Sequence, residues 1–559
     1  VQYHGSLAEP QAGFVLPSAR RPLPAPRWPI ECEVIKETIE HIEWVPPEPE
    51  PFCQHTGPEL VPGTLSEEQG TVVYHLSPAP PGSCFTRARV GGSPGPLSSP
   101  AAPLEGPQDT TLLFESRFES GNLQKAVKVG PYEYVLTLRP DLYTAKHTQW
   151  FYFRVQNMLP GPLYRFTIAN LAKSKSLYGE GMRPLLYSQH DAQSRGIGWR
   201  RVGDDISYYC DGKEPAAFCL SWSFRFPHVG DTCFFAHSYP YTYSDLQRYL
   251  QALAGDPTRS QYCTVQVLCR SLAGNAVYLL TIASPAGKVA AKRAVVLSAR
   301  THPGESGGSW AMKGFLDFLL GDDPDAQLLR RLFIFKVLPM LNPDGVVVGN
   351  SRCSLAGRDP NRAYGMELCG SFPGVWHLRA LVERLLVERE VVLYCDFHGH
   401  SRKNNVFMYG CDSGGSTRMR LCQRIFPLML SKNAPDKFSF PSCKFKVQKS
   451  KAGTGRVVMW RLGVSNSYTM EMAFGGSTMG SRSSHFTVED LKLMGYHLCD
   501  TLLDFCDPNP TKFEQCLSEV DTLLRQRLGR EPGSAGGLSD ISPSELESST
   551  SGSDSSVSD

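Results

Sequence analysis

The spacing of apolar and polar residues changes near residue 233, and each pattern predicts a different kind of domain. Between residues 109 and 232 the apolar runs are short and rich in aromatic and β-branched residues, as in "YEYVLTLRP" (132–140), "QWFYFRVQN" (149–157) and "LYRFTIANL" (163–171). Turn signals such as "LPGP" separate them. Runs of this kind are typical of strands. Several of them without a long helical pattern predict an antiparallel β-sandwich N-domain over 109–232.

From residue 233 to residue 508, strand-like runs alternate with helix-like ones. The run "RAVVLSART" leads into "SWAMKGFLDFLL", whose apolar residues recur at helical spacing, and "VVLYCDF" follows the helical stretch "VWHLRALVERLLVE". This alternation predicts an α/β domain in which helices cover both faces of a mixed or largely parallel sheet. Ligands of such sheets bind beyond the carboxyl ends of the strands, so the functional site of this domain is expected there.

The two ends of the chain carry a different composition. Residues 1–108 are crowded with proline, which predicts an extended, largely disordered segment. Within it, "IECEVIKETIEHIEWV" (30–45) is the exception and is predicted to dock onto the body as a short strand or helix. Residues 509–528 are predicted to form a C-terminal helix, and the Ser/acidic tail of residues 529–559 is predicted to be disordered.

Composition limits the classes of partner and compartment. The 559 residues carry a formal net charge of only +2, so no overall field attracts the protein to nucleic acid or to an anionic membrane. Seventeen cysteines are scattered without any Cys-x-x-Cys pair, which is typical of reduced thiols in the cytosol. No run of 18 apolar residues is present that would span a bilayer.

The stretch "RTHPGES" (300–306) is the first candidate for chemistry. Pro303 pushes His302 out of the helical region, so the strand "RAVVLSART" is predicted to end at His302 and a helix to open near Glu305. Both side chains would then lie at the carboxyl end of a strand. The spacing alone leaves two interpretations open: a pair of metal ligands, or a polar turn whose glutamate stabilises the helix N-terminus.

A third ligand is expected at the end of another core strand. The apolar run "VVLYCDFHGHS" ends in Asp396, His398 and His400. We predict that His398 is the ligand and that His400 lies behind it or faces the substrate, although the spacing also allows these two roles to be exchanged. Two histidines and a glutamate with an open fourth position are the ligand set of catalytic zinc.

Five motifs then carry a resemblance to a known family. In chain order they are "THPGES", "NPDG" (342–345), "NSRCSLAGRDPNR" (350–362), "DFHGHS" (396–401) and "SYTMEMAFGG" (467–476). Together they resemble the M14-type zinc carboxypeptidases, and among these the cytosolic carboxypeptidases, types 2 and 3, which remove glutamates from tubulin tails. The likeness covers residues 109–508 and implies a mixed sheet covered by helices, preceded by a β-sandwich domain.

The resemblance implies a role for each matching residue around the metal. It makes His302, Glu305 and His398 the ligands of one zinc ion. It makes Glu471 the general base, whereas the alternation of Glu471 with apolar neighbours would by itself suit an ordinary strand residue.

The resemblance also implies a set of substrate-binding residues. Arg352 would polarise the scissile carbonyl, and Asp359 would orient the imidazole of His302. Asn361 and Arg362 would bind the terminal carboxylate of the substrate, which makes the enzyme an exopeptidase.

The sequence departs from the family pattern at one point. It reads "DPNRAY" where the family usually has Asp-Leu-Asn-Arg-Asn-Tyr, so Pro360 removes a backbone N–H and Ala363 removes a polar side chain. This departure supports the alternative that the chain is a catalytically weak or inactive module that binds tubulin tails.

A basic run suggests the kind of substrate. Residues 432–456 contain seven basic residues and one acid, and they are predicted to wall the cleft, with Lys451 and Arg456 contacting the acidic side chain that is released. The expected partners are polyglutamylated tubulin, microtubules and other acidic-tailed proteins, bound by a monomer. Nucleic acid, the rival partner of a basic run, is disfavoured because no aromatic-basic binding pattern is present, and no membrane is expected.

The resemblance implies a cytosolic protein that is also found at centrioles and ciliary basal bodies.

Overall fold

The computed structural model describes residues 23–54, 70–77, 88–90, 97–212, 217–285, 292–412, 417–480 and 483–527. Among these residues, no helix combines the length and the apolar character that crossing a membrane requires. The predicted disordered tail of residues 529–559 lies outside the described residues, as do residues 1–22.

The proline-rich segment is more ordered than its composition predicts. It contributes three short strands: β1 (Arg27–Pro29), β2 (Thr71–His75) and β3 (Ala88–Val90). Residues 30–45 dock onto the body as predicted, but without forming a strand or a helix. Instead, His41 inserts its ring among aromatic side chains of the N-domain, hydrogen-bonds the hydroxyl of Tyr152 at 2.5 Å and lies 4.2 Å from the ring of Tyr187. Burial lowers the pKa of His41 to about 3. The prediction of disorder is therefore wrong for residues 23–54, where side-chain packing compensates for the missing backbone pairs.

Two sheets pack face to face in the N-domain. Its elements are β4 (Leu113–Glu115), β5 (Leu123–Gly130), β6 (Glu133–Leu138), β7 (Tyr152–Gln156), β8 (Tyr164–Leu171), β9 (Leu185–Ser188), helix α1 (Gln189–Arg195), β10 (Arg200–Arg201), β11 (Asp204–Cys210), β12 (Phe218–Phe224) and β13 (Cys233–Ala236). One sheet has the order β10-β9-β13-β7-β4 and the other the order β11-β12-β8-β6-β5-β2. Rings from both sheets meet between them: Phe166 of one sheet lies 5.4 Å from Phe235 and 6.2 Å from Phe153 of the other. The predicted β-sandwich is confirmed, with one difference: β6 and β8 pair in parallel.

A seven-stranded mixed sheet forms the centre of the second domain. Its strands are β14 (Cys263–Arg270), β15 (Ala276–Ile282), β16 (Arg293–Ala299), β17 (Phe333–Leu338), β18 (Val391–His400), β19 (Val406–Tyr409) and β20 (Ser467–Ala473). Their order is β14-β15-β17-β16-β18-β20-β19, and the four central strands run parallel. A short hairpin of β21 (Gly476–Ser477) and β22 (Ser484–His485) follows.

Helices cover both faces of this sheet, as the alternating pattern predicts. The helices from residue 243 onward are α2 (Tyr243–Gly255), α3 (Pro257–Ser260), α4 (Gly307–Leu319), α5 (Pro324–Leu332), α6 (Pro343–Val348), α7 (Pro373–Glu388), α8 (Thr417–Asn433), α9 (Gly455–Leu462), α10 (Val488–Phe505) and, beyond the sheet, α11 (Thr511–Arg527). Along β16, Val295 and Leu297 pack into the core that contains α4 and α10. Their neighbours Ala294 and Val296 pack on the other face, in the core that contains α7 and α9.

The C-terminal helix α11 packs against α8 rather than against the sheet. Apolar side chains of the two helices form a separate small core, and ion pairs border it. Lys432 at the end of α8 lies 2.8 Å from the carboxylate of Glu519. This lysine belongs to the basic run of residues 432–456, so that run does not lie wholly along the cleft.

Candidate metal centre and active site

The turn after β16 carries two of the three predicted ligands. Arg300 has φ 58°, a left-handed conformation that is unusual for a residue other than glycine. Its buried guanidinium holds this conformation by donating to the carbonyl oxygens of Pro303 at 2.9 Å and Tyr241 at 2.8 Å. The chain therefore reverses sharply, and it places His302 and Glu305 at the sheet edge before α4 begins.

Three side chains converge at this edge. The two oxygens of Glu305 each lie 2.8 Å from a histidine Nδ1 atom, one on His302 and one on His398. The two Nδ1 atoms lie 3.2 Å apart, and one ligand atom from each residue falls within 4.8 Å of the others. His398 reaches the cluster from β18, the parallel neighbour of β16.

The protonation pattern of the two histidines fits a cation. The Nε2 atom of His302 lies 2.9 Å from Asp359, and that of His398 lies 2.6 Å from Asp396. Because each of these carboxylates accepts a hydrogen bond from an Nε2 atom, the two Nδ1 atoms are left as the coordinating atoms when a cation binds between them. Burial opposes charge on His398, yet Asp396 and Glu305 together raise its pKa well above the ordinary value. The cluster therefore demands positive charge between its ligands, and a zinc ion supplies it with the ligand set of a catalytic site.

Asp396 is a functional residue that the sequence analysis did not assign. It lies two residues before His398 on the same strand, and the side chains of such a pair point to the same face of the sheet. Its oxygen also accepts the hydroxyl of Ser298 at 2.7 Å, which fixes its orientation. Asp359 plays the same part for His302, as predicted by the resemblance.

Replacing Asp396 with asparagine tests this support. The substitution retains the shape of the side chain but removes the charge that orients and polarises the imidazole of His398. We expect metal affinity to fall by roughly 10–100-fold, measured by competition with a chromogenic chelator. Unchanged metal affinity in a normally folded variant would show that Asp396 does not support the ligand.

Glu471 projects from the same face of the sheet as the ligands, on the strand next to that of His398. Strand β20 pairs in parallel with β18, and the register places Glu471 beside His398. Its neighbours Met470 and Met472 are buried on the opposite face. Because side chains alternate along a strand, the Glu471 carboxylate points to the face that carries the cluster. Burial raises the pKa of Glu471 to about 7, and the positive charge of His398 opposes this shift. A carboxyl group with this pKa can accept and return a proton near neutrality.

Arg352 is positioned from both domains. Its guanidinium lies 2.6 Å from Asp359, next to the cluster. The carboxylate of Asp141, in the N-domain, accepts three consecutive backbone N–H groups from this loop: Ser351 at 2.6 Å, Arg352 at 2.8 Å and Cys353 at 2.7 Å. The buried Asp141 thus fixes the loop that presents Arg352.

An Asp141→Asn protein should show the cost of loosening this loop. The new NH₂ group cannot accept, so at least one buried N–H loses its partner and faces another donor. We expect the free energy of unfolding to fall by about 1–3 kcal/mol, measured by chemical denaturation, and turnover to fall while metal content persists. Equal stability and turnover would show that the three hydrogen bonds contribute nothing.

The departure "DPNRAY" is accommodated without strain. Pro360 takes the first position of a short 3₁₀ turn, Pro360–Arg362, where no backbone donor is needed. Ala363 is buried in the core on the α7 side of the sheet. The side-chain oxygen of Asn361 accepts the N–H of Gly455 at 3.1 Å, and Arg362 keeps about a third of its side chain exposed beside Asp359.

The two residues predicted to contact an acidic side chain lie in different surroundings. Lys451 is half-buried; burial lowers its pKa, and the charges of Arg362 and Arg352 lower it further. Two residues after Lys451, the carbonyl oxygen of Gly453 accepts the N–H of Tyr364 at 3.2 Å, so this turn lies next to the segment that carries Arg362. Arg456 is 6% exposed; its guanidinium donates to the carbonyl of Gly410 and lies 5.9 Å from the ring of Tyr409.

Other residues of the predicted set lie outside the cluster. The Nδ1 atom of His400 accepts the backbone N–H of Lys403 at 3.0 Å, so His400 shapes the loop after β18 and is not a ligand in this geometry. Lys437, from the basic run, is buried and pairs with Asp436 at 2.5 Å and with Asp490 at 3.5 Å. For Lys437, as for Lys432, the prediction that the basic run walls the cleft is wrong, because ion pairs hold both side chains elsewhere.

A second His/Asp group lies in the N-domain, but its surroundings disfavour a metal. His190, Asp191 and His228 lie close together. The buried Asp191 already pairs with Arg200 at 2.9 Å and with Arg195 at 3.4 Å. A cation placed there would compete with two guanidinium groups, whereas no arginine pairs with Glu305 in the described ranges.

Family profiles match both domains of the chain. The zinc carboxypeptidase profile matches residues 246–480, and the cytosolic carboxypeptidase N-terminal domain profile matches residues 114–236. A relative from Danio rerio, cytosolic carboxypeptidase 2, is 60% identical over 99% of this chain and 78% of its own length. The chain belongs to the cytosolic carboxypeptidase family. Human cytosolic carboxypeptidase 2 is 64% identical over 99% of the chain, and mouse cytosolic carboxypeptidase 3 is 54% identical over 97%.

Solved structures confirm the fold of this family member. The metallo-carboxypeptidase from Burkholderia cenocepacia superposes with a TM-score of 0.60 at 22% identity, covering 71% of this chain and 99% of that one. The metallo-carboxypeptidase from Pseudomonas aeruginosa gives a TM-score of 0.56 at 23% identity, covering 70% and 97%. The chain spans 63% of the length of its human relative and 55% of that of the mouse type 3 relative.

The N-domain of this cytosolic carboxypeptidase brings a further residue to the site. Lys173, just after β8, is half-buried, and its Nζ atom donates to the hydroxyl of Ser401 at 2.8 Å. Burial lowers its pKa to about 8; the charge of Arg352 lowers it as well, while those of Glu305 and Glu471 oppose this shift. No local motif predicts this placement, because Lys173 and Ser401 are 228 positions apart in the sequence.

Proposed function

We propose that this chain is a zinc metallocarboxypeptidase, a deglutamylase that removes C-terminal glutamates from polyglutamylated proteins, chiefly tubulin tails. The observation that carries the proposal is the cluster of His302, Glu305 and His398 with Glu471 beside it on the next strand. The family membership supports the same reaction. We further propose one zinc ion per chain, a monomeric protein, and a location in the cytosol and on the microtubules of centrioles and ciliary basal bodies.

Each residue of the site contributes one step of peptide hydrolysis. Zinc, when bound, supplies a Lewis acid that lowers the pKa of water towards neutrality. Glu471 accepts the proton of the attacking water and returns it to the leaving amine. Arg352 keeps N–H groups beyond its ion pair with Asp359, and these stabilise the developing negative charge on the carbonyl oxygen.

Arg362 and Asn361 are proposed to bind the terminal carboxylate of the substrate. Arg362 offers a planar donor group that matches a carboxylate, and Asn361 offers an amide beside it. Pro360 fits its turn without strain, which removes the motive for the alternative of an inactive binding module. The proposed enzyme is therefore an exopeptidase with an intact carboxylate site.

The preference for an acidic side chain is proposed to come from Lys451 and Arg456. We expect Lys451→Gln to lower kcat/KM on glutamate-ending peptides by about tenfold, the effect of losing one charge-assisted hydrogen bond, and to weaken the inhibition by salt. Lys449→Gln is the matched control, since Lys449 belongs to the same 3₁₀ turn (Lys449–Lys451) but is exposed. Equal losses in both variants would indicate general steering rather than a contact.

Release of the terminal residue from matched peptides tests the proposed function. Peptides that differ only in their last residue, glutamate, alanine or lysine, are incubated with the zinc-loaded protein, and free amino acids are quantified by chromatography. We expect glutamate to be released fastest, because a neutral or basic side chain would leave Lys451 and Arg456 unpaired. Preferential release of alanine or lysine would contradict the proposed specificity, and no release from any peptide would contradict the proposed activity.

A further inference from the structure

A short part of the proline-rich segment lies at the junction of the two domains. It consists of residues 50–53, which we call the strap. The backbone N–H of Cys53 donates to the carbonyl oxygen of Gly181 in the N-domain at 2.7 Å. Pro51 forms an antiparallel bridge with Ser484, in β22 of the catalytic domain. The strap therefore joins the two domains.

Glu50 links the domains through both its backbone and its side chain. Its carbonyl oxygen accepts the backbone N–H and the ring Nδ1–H of His485, both at 2.9 Å. The Nε2 atom of this buried ring accepts the backbone N–H of Arg183 at 3.0 Å, which assigns the ring proton to Nδ1. A side-chain oxygen of Glu50 accepts the N–H of Arg201, on β10 of the N-domain, at 2.7 Å. One residue thus holds a strand in each domain.

Both contacts of Glu50 lead to the end of β20, the strand that carries the proposed general base. The buried guanidinium of Arg201 donates to the carbonyl oxygen of Phe474, the residue that follows β20, at 2.9 Å. His485 pairs with Gly476 in the β21–β22 hairpin. The two routes from Glu50 therefore meet directly after β20.

Phe474 lies against the strand end that carries the metal ligands. A Cβ atom at Gly399 would lie only 2.7 Å from the Phe474 ring, so this glycine leaves space for the ring. The N–H of Gly399 donates to Glu305 at 2.9 Å, and the N–H of Phe474 donates to the carbonyl oxygen of His400 at 3.0 Å. On the N-domain side, the ring of His237 lies 4.8 Å from the Phe474 ring. In such close packing, a shift of Phe474 is transmitted to the ends of both β18 and β20.

We propose that Glu50 is a positioning residue for the active site: through Arg201 and the β21–β22 hairpin it fixes Phe474, and Phe474 holds the ends of β18 and β20 in place. The inference rests on the proposed function, since that function assigns the proton transfers to β20. Glu50 lies outside the residues that the two family profiles match. Part of the proline-rich segment thus belongs to the catalytic unit.

A Glu50→Ala protein tests the inference by separating kcat from KM. Misplacement of the general base should lower kcat on a glutamate-ending peptide by roughly 10–100-fold. KM and zinc content should persist, because neither the substrate-binding residues nor the metal ligands are altered. Glu50→Gln should restore kcat, since an amide oxygen can accept the same N–H. Glu48→Ala, at an exposed position two residues earlier, is the matched control and should behave as the parent.

Hydrogen exchange provides a readout that does not depend on activity. Peptides from residues 471–476 should exchange faster in Glu50→Ala than in the parent, because the backbone there loses its support, whereas peptides from β5 and β6 should exchange at the parent's rate. Arg201→Met leaves Glu50 in place and removes the donor to Phe474. It should reproduce both the fall in kcat and the local increase in exchange, and it decides the question if Glu50→Ala does not fold.

The outcomes separate the positioning role from the proposed function. An active parent and a Glu50→Ala protein with equal kcat would overturn the positioning role while the carboxypeptidase activity stands. Faster exchange throughout the variant would also overturn it, because Glu50 would then contribute only to general stability. If the parent releases no glutamate, the proposed function fails, and the role of Glu50 in catalysis fails with it.

Discussion

A Glu471→Gln protein should lose turnover by roughly 10²–10⁴-fold, because glutamine keeps the shape of the side chain but cannot accept the proton of the attacking water. Glu471 is the acidic residue of β20, and the strand register places it beside His398 on the same face of the sheet. It is not itself one of the three clustered ligands. Metal content should therefore persist.

Steady-state release of glutamate, measured together with the metal content, checks this expectation. Binding of an acidic peptide should persist in the variant, since Arg362 and Lys451 are untouched, and a titration followed by calorimetry would show it. Turnover close to that of the parent would place the general base on another residue. Loss of the metal together with turnover would assign Glu471 a structural role instead.

A His302→Ala protein should lose the metal altogether. The substitution removes one of three converging ligand atoms and leaves the Asp359 carboxylate without the imidazole that it orients. The parent should hold about one zinc ion per chain, and the variant should hold far less after dialysis, as measured by elemental analysis. Glutamate release should disappear with the metal.

His400→Ala is the matched control for this prediction. His400 lies two residues beyond His398 on the same strand, but its ring accepts backbone N–H groups of the following loop and does not reach the cluster. The control should keep its zinc. If His400→Ala lost zinc while His302→Ala retained it, His400 rather than His302 would be a metal ligand, and the ligand assignment would be refuted.

The sequence predicts the fold well where the period of apolar residues is clear. The run "RAVVLSART" becomes β16, "VVLYCDF" lies within β18, and the three aromatic runs of the N-domain become β6, β7 and β8. Proline density misleads for residues 23–54, because aromatic packing around His41 orders a segment that has few regular backbone hydrogen bonds. The parallel pairing of β6 and β8 depends on chain topology, which a local pattern does not contain.

The site was predictable where its residues follow strands or belong to motifs. His302, Glu305 and His398 are brought together because β16 and β18 are parallel neighbours whose carboxyl ends meet at one edge. Asp396 could have been assigned from its spacing of two residues from His398. The contributions of Asp141 and Lys173 could not, since each reaches across the domain junction to a loop more than 200 positions away in the sequence.

Mass spectrometry of a polyglutamylated tubulin peptide before and after incubation with the zinc-loaded protein tests the central claim most directly. The account predicts stepwise loss of C-terminal glutamate residues by the parent enzyme, and no such loss over the same period with Glu471→Gln. An unchanged peptide after incubation with fully zinc-loaded parent enzyme would contradict the claim that this chain is a deglutamylating carboxypeptidase.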